Sequence, residues 1–190
     1  GMGYNMWAVF AYYLASPLNL LITIVSSKHV MDFMAYLILL KIALTGGIFG
    51  WYLSRRGKDR DYFPIAFGCM YALSAFMIGY YFNLMWLDSI LVLPLVMLGI
   101  EKIVAGKKGR FYALALCYAL YCNYYIGYML CLFACLYFCV LWIGAKKFSI
   151  RRFLCSGLKF AWYSLLAGGM AALVLLPAYL NLAITESADS

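Results

Sequence analysis

From Phe111 to Ala145 the chain runs for 35 residues without an acidic or basic side chain, bounded by Arg110 and Lys146. A bilayer-spanning helix takes about 20 residues, so this stretch is too long for one crossing and fits two short ones. The basic residues generalise the point. They gather as Arg55, Arg56, Lys58 and Arg60, then Lys102, Lys107, Lys108 and Arg110, then Lys146, Lys147, Arg151 and Arg152, each cluster in a short connection between apolar runs. Cytoplasmic loops carry such an excess of Lys and Arg. If all three clusters share that side, the number of crossings between successive clusters is even.

Two runs, 62–82 and 86–104, therefore turn around YYFNLMWLDS at 80–89 on the outer face, and two more, 111–123 and 127–143, break around Asn123 to Gly127. Backbone irregularity at membrane depth is tolerated only where protein or a wet cavity covers it. A run at 30–53 leads inward to the first cluster, and one at 153–180 leads outward from the third. The expected fold is an all-α, polytopic transmembrane bundle of about six crossings. It forms one domain, with the bundle at 30–180, the start of an outer loop at 181–190, and both ends extracytoplasmic. Residues 4–27 are apolar but interrupted by Ser16, Pro17 and Asn19, which suit turns and helix starts. Residues 1–29 are thus expected as short interfacial helices or a loop on the outer face rather than a span.

Composition settles what the charges are for. Of 190 residues 67% are hydrophobic and 12% charged, too few charges to clothe a soluble fold. The net charge of +8 would suit nucleic acid, but the cations lie in the loops and do not interleave with aromatic residues elsewhere, so membrane lipid and not nucleic acid is the expected partner. The first 25 residues lack the basic start and cleavage site of a signal peptide. All seven cysteines fall in apolar segments without a CxxC pair. Cys131, Cys135 and Cys139 share a helical face, a spacing that could pass Cu(I), yet small apolar filler is the simpler reading. A single His leaves zinc without a second nitrogen ligand, and no metal or cofactor is expected. His29 and Asp32 precede the inward helix, where Asp32 suits a helix start. The small-residue pairs Gly46 with Gly50 and Gly168 with Ala172 allow close helix approach in lipid.

Two ionisable residues stand out. Lys41 lies about 13 residues ahead of the first basic cluster, roughly 20 Å into the membrane at 1.5 Å per residue. A cation at that depth costs about 2.5 to 3.5 kcal/mol on insertion scales, so it must meet an acid, carbonyl oxygens or a phosphate, and a purely structural pair is an equal alternative. Asp88 sits near Asn83, Trp86, Tyr80 and Tyr81, with Asn123, Tyr124, Tyr125 and Tyr128 on the next hairpin. Carboxylate, amide and ring faces are what a sugar site needs, because hydroxyls require hydrogen bonds and pyranose CH faces stack on rings. An aromatic belt with Asp88 capping a helix would produce the same pattern.

Four segments also carry a family resemblance: AVFAYYLASPLNLL at 8–21, LLKIALTG at 39–46, YALSAFMIGYYFNLMWLDSILVLPLVMLGIEKIV at 71–104 and NYYIGYMLCLFACLYF at 123–138. Together they resemble the bacterial YfhO family of membrane proteins, the NLMWLD turn and NYYIGYM break being the most specific pieces. The resemblance implies a glycosyltransferase of the GT-C type, which moves a sugar from a polyprenyl-phosphate carrier to an acceptor outside the membrane, here a cell-envelope polymer of the lipoteichoic acid kind. It implies a chain longer than this one, with the catalytic acid upstream of Gly1, so that these residues alone would be inactive. Lys41 would then bind the carrier phosphate and Asp88 a sugar hydroxyl, with Asn83, Trp86, Asn123, Tyr124, Tyr125 and Tyr128 lining the substrate site. Competing readings are a transporter or channel subunit, with Lys41 and the break at Asn123 along a substrate path, and a non-catalytic partner in envelope assembly.

Overall fold

A computed structural model describes residues 16–56, 62–144 and 149–188, with side chains through residue 177. Every regular element among the described residues is helical. After two short 3-10 helices, Asn19–Ile24 and Ser27–His29, the chain forms α1 (Val30–Arg56), α2 (Phe63–Ala72), α3 (Ala75–Gly79), α4 (Leu84–Val104), α5 (Arg110–Cys122), α6 (Tyr124–Ile143) and α7 (Ile150–Ala188). The expectation for residues 1–15 falls outside the described residues.

Among the described residues four helices are long and apolar enough to cross a membrane: Ser27–Arg56, Leu84–Val104, Tyr124–Ile143 and Ile150–Pro177. The other two apolar stretches, Phe63–Gly79 and Arg110–Cys122, are shorter. At 1.5 Å per residue α5 is only about 20 Å long, against a hydrocarbon core of about 30 Å, and its far end at Asn123 is fully buried in protein. Phe63–Gly79 is interrupted where Ser74 takes an extended conformation (ψ 155°) and starts α3, which turns Met77 into a small core with Leu37, Leu84 and Leu87. The sequence expects an uninterrupted run there, because a lone Ser among apolar residues carries no helix-breaking signal. At the other end of the chain α7 continues through Ala188, past residue 180 where an outer loop is expected.

α4 is the central helix, packing against α1, α5, α6 and α7. Its Val92, Val96, Ile100 and Ile103 are buried with Tyr112, Leu116 and Ala119 of α5 and Leu130 and Ala134 of α6. Pro94 lies inside α4 and has no N–H for the carbonyl four residues back. That carbonyl belongs to Ile90, and the Tyr71 hydroxyl donates to it at 2.9 Å, so α2 supplies the hydrogen bond the proline removes. α7 shows the membrane-facing pattern plainly: Ala167, Ala171 and Val174 are buried, while Leu158, Trp162, Leu165 and Leu173 are exposed. Apolar residues exposed in this number need lipid as solvent.

All the described basic clusters meet at one end of the bundle, where α1, α4 and α6 finish and α7 begins. Lys58, Arg60, Lys146 and Lys147 lie outside the described residues.

Candidate functional site

Lys41 belongs to a stripe on α1, Leu37, Lys41, Thr45 and Tyr52, that is buried against the rest of the bundle. Its ammonium is fully buried and has three donors. They go to Asp88 Oδ2 at 2.7 Å, Asn19 Oδ1 at 2.6 Å and the Leu84 carbonyl at 2.9 Å. Asn19 is delivered by the first 3-10 helix, whose backbone bonds to Ser16, and Leu84 and Asp88 by the first turns of α4. The Cys122 thiol at the end of α5 lies within electrostatic reach of both charges. Three separate chain segments thus close on one ion pair.

Lys41 and Asp88, given separate phosphate and sugar roles by the resemblance, are bonded to each other as one pair. Asp88 is the fifth residue of α4 and caps nothing, the cap position being Asn83. It is also fully buried, whereas its place in the turn suggested a near-surface position. The reason is the earlier helix start: α4 begins at Leu84, which carries Asp88 a turn inward and rotates it toward α1. Asp88 Oδ1 remains buried without a hydrogen-bond partner among the described residues, as do the hydroxyl of Ser89 and the Trp86 indole N–H. Buried polar groups in that state are uncommon. A hydroxylated ligand or water would satisfy such a carboxylate oxygen.

The aromatic and amide candidates divide into two sets. Trp86 packs near Tyr80 and Phe76, at ring-centroid distances of 5.4 and 6.5 Å, and Tyr80 and Tyr81 are exposed around it. Asn123 is buried, and its side-chain oxygen accepts from Ile126 N at 3.0 Å, capping α6. Tyr124 is half-buried, whereas Tyr125 and Tyr128 are 47% and 63% exposed. The structure therefore does not gather all eight candidates into one pocket: Lys41 and Asp88 form a buried knot, while Trp86, Tyr125 and Tyr128 are more peripheral. The cap role gives a direct expectation. Asn123→Ala should lower the thermal stability of the purified protein by about 1 kcal/mol, while Asn123→Asp should retain most of it.

His29 and Asp32 are exposed at the start of α1. Cys135 and Cys139 are exposed and Cys131 half-buried, and no three His, Cys, Asp or Glu residues converge as a metal site among the described residues.

A second polar cluster escaped the sequence reading. At the basic end Glu101 Oε1 accepts from Tyr52 at 2.5 Å and from Tyr137 at 2.6 Å. Arg56 donates to the Tyr52 hydroxyl at 3.0 Å and lies 3.5 Å from the same carboxylate oxygen. The cluster ties α1, α4 and α6 together about 16 to 20 Å along the helices from the Lys41 pair. Its one sequence signal was Glu101, an acid between apolar Ile100 and the basic loop, whose tyrosine partners are hidden among 18 tyrosines.

Over residues 1–190 the sequence matches the family described as bacterial membrane protein YfhO. No curated protein and no solved structure matches it.

Proposed function

The chain belongs to the YfhO family of bacterial membrane proteins, and from that premise we propose that it forms part of a membrane-embedded glycosyltransferase. In this reading the enzyme transfers a sugar from a polyprenyl-phosphate donor to a cell-envelope polymer of the lipoteichoic acid kind, at the end of the bundle opposite the basic loops. The observation that carries it is Asp88. It lies in the NLMWLD motif, held through one oxygen by Lys41 while the other is buried and without a partner among the described residues. A carboxylate fixed in this way is suited to accept a hydrogen bond from a sugar hydroxyl, and the neighbouring Trp86 offers a face for stacking. Lys41, its three donors engaged inside the protein, acts as a positioning residue for Asp88 and does not contact the carrier phosphate. Tyr124, Tyr125, Tyr128 and Asn83 would stand around the approach, and the catalytic acid lies elsewhere in the enzyme.

The test uses the full-length protein in cells, scored by sugar content of the envelope polymer. Deleting the gene should abolish the modification. The paired substitution Lys41→Met with Asp88→Leu removes both charges together and should leave protein abundance near normal while lowering glycosylation at least tenfold. Normal glycosylation in that variant removes Asp88 from the site; normal glycosylation in the deletion strain overturns the enzyme reading altogether, and altered solute uptake there would favour a transporter.

A further inference from the structure

The basic end gathers cations that no described acid pairs with. The ion pairs among the described residues join Lys41 to Asp88 and Arg56 to Glu101, and Lys102 lies 4.1 Å above the Phe111 ring. Lys107, Lys108, Arg152 and Lys159 have no such partner among the described residues, yet they are brought together. On α7, Arg152, Ser156, Lys159 and Tyr163 recur at three- and four-residue spacing and so share one face. The loop between α4 and α5 lies against that face. Gly109 rests so closely on the Tyr163 ring that a methyl group at its α-carbon would not fit, and Gly106 turns the loop with a φ of 81°.

Two adjoining cavities result, about 320 and 370 Å³, both lined by Gly106 and Lys159. Lys107, Lys108 and Trp162 line the first, Arg152 and Ser156 the second, and no acidic residue among the described ones lines either. Lys159 lies within three turns of the start of α7, level with the loop between α4 and α5, and Trp162 and Tyr163 follow it, residue types that settle at a membrane interface.

We propose that this double cavity binds the phosphate of an anionic glycerophospholipid from the leaflet at the basic end, the cytoplasmic leaflet by the charge rule. The chemistry matches on each side: Lys107, Lys108 and Lys159 surround the phosphate, Arg152 serves the second cavity, and the apolar flank of α7 at Leu158 and Trp162 takes the acyl chains. Basic pockets between transmembrane helices are a recurrent way to hold such headgroups. The site is at the opposite end of the bundle from Asp88 and does not depend on the glycosyltransferase reading.

The experiment places the full-length protein in phosphatidylcholine nanodiscs containing graded phosphatidylglycerol and counts retained anionic lipid by native mass spectrometry. Each basic side chain near a charged surface is worth about 1 kcal/mol, so Lys107→Gln with Lys159→Gln should weaken retention about thirtyfold. Lys107→Arg with Lys159→Arg should keep it, and so should Arg55→Gln, a cation at the same end outside the cavities. Equal loss in Arg55→Gln would mean a diffuse positive surface and overturn the site. Unchanged retention in the double Gln variant would overturn it too. Inorganic phosphate supplies the last arm: if it binds the detergent-purified protein and millimolar amounts displace all retained lipid, the cavity serves a soluble phosphate and the lipid assignment fails.

Discussion

Lys41→Met is expected to destabilise the protein by about 3 to 5 kcal/mol, the range for removing one partner of a buried ion pair. The substitution keeps the length and apolar stem of the side chain, so little packing is lost. What changes is Asp88, left fully buried with neither oxygen opposite a cation, since Oδ1 already lacks a partner. Asp88→Leu should cost a similar amount from the other side, stranding the ammonium among Asn19 Oδ1 and the Leu84 carbonyl. The double variant should recover most of the loss, because replacing a buried pair by apolar residues of similar volume is often neutral or stabilising. Thermal unfolding of the purified protein in detergent, run over all four corners of the cycle, gives a coupling energy. A coupling near zero, with each single variant within about 1 kcal/mol of the parent, would show that the pair is not formed in the membrane protein. The cycle also separates structure from function, since the double variant is expected to fold without the carboxylate.

How far this pair was legible in the sequence is instructive. The depth of Lys41 required a partner and the residue types limited it to an acid, carbonyls or a phosphate; both an acid and a carbonyl are found. Its identity was hidden because the pairing spans 47 positions and depends on the rotation of α4, which the start at Leu84 sets and the hydropathy of YYFNLMWLDS does not. The all-helical architecture and the helix break at Asn123 came from charge spacing and length, which bilayer physics constrains strongly. Side-chain bonds between helices were not readable in the same way. Tyr71 completing the carbonyl left open by Pro94, and Tyr52 and Tyr137 converging on Glu101, each need helices to be placed before the partner can be named. The two knots nonetheless share a logic. They fix α1 against α4 at two heights, and in lipid, where apolar contact alone selects neither register nor rotation, such bonds are what distinguish one packing of two greasy helices from another.

Glycine spacing shows the same limit and gives the second large effect. Gly46 with Gly50 and Gly168 with Ala172 present one pattern in the sequence, but only the first is a contact. A side-chain carbon added at Gly46 would lie 3.0 Å from the Gly68 carbonyl oxygen and 3.0 Å from Ala72 Cβ, and one at Gly50 2.9 Å from the Pro64 carbonyl oxygen, whereas at Gly168 nothing among the described residues lies within 4 Å. The partner glycine on α2 is the most constrained of the set. A methyl at Gly68 would stand 2.8 Å from the Gly46 carbonyl oxygen and 3.5 Å from Gly50 Cα. These neighbours are backbone, so no rotamer change relieves the clash and α2 must move away from α1. Gly68→Ala should therefore cost about 1 to 3 kcal/mol by overpacking, and Gly68→Leu enough to separate the two helices, because close contact is what holds helices together in lipid. Gly47, on the neighbouring face of α1, opens onto a groove of about 510 Å³ with nothing near its α-carbon. Gly47→Ala and Gly168→Ala should be neutral or stabilising by up to about 1 kcal/mol, since alanine gains helix propensity over glycine. The same chemical change thus carries opposite signs at positions the sequence does not distinguish, and melting temperatures of the three variants measured side by side decide it. A loss at Gly168 equal to that at Gly68 would mean that α7 makes a close contact of its own and that the α1–α2 approach is not the special one.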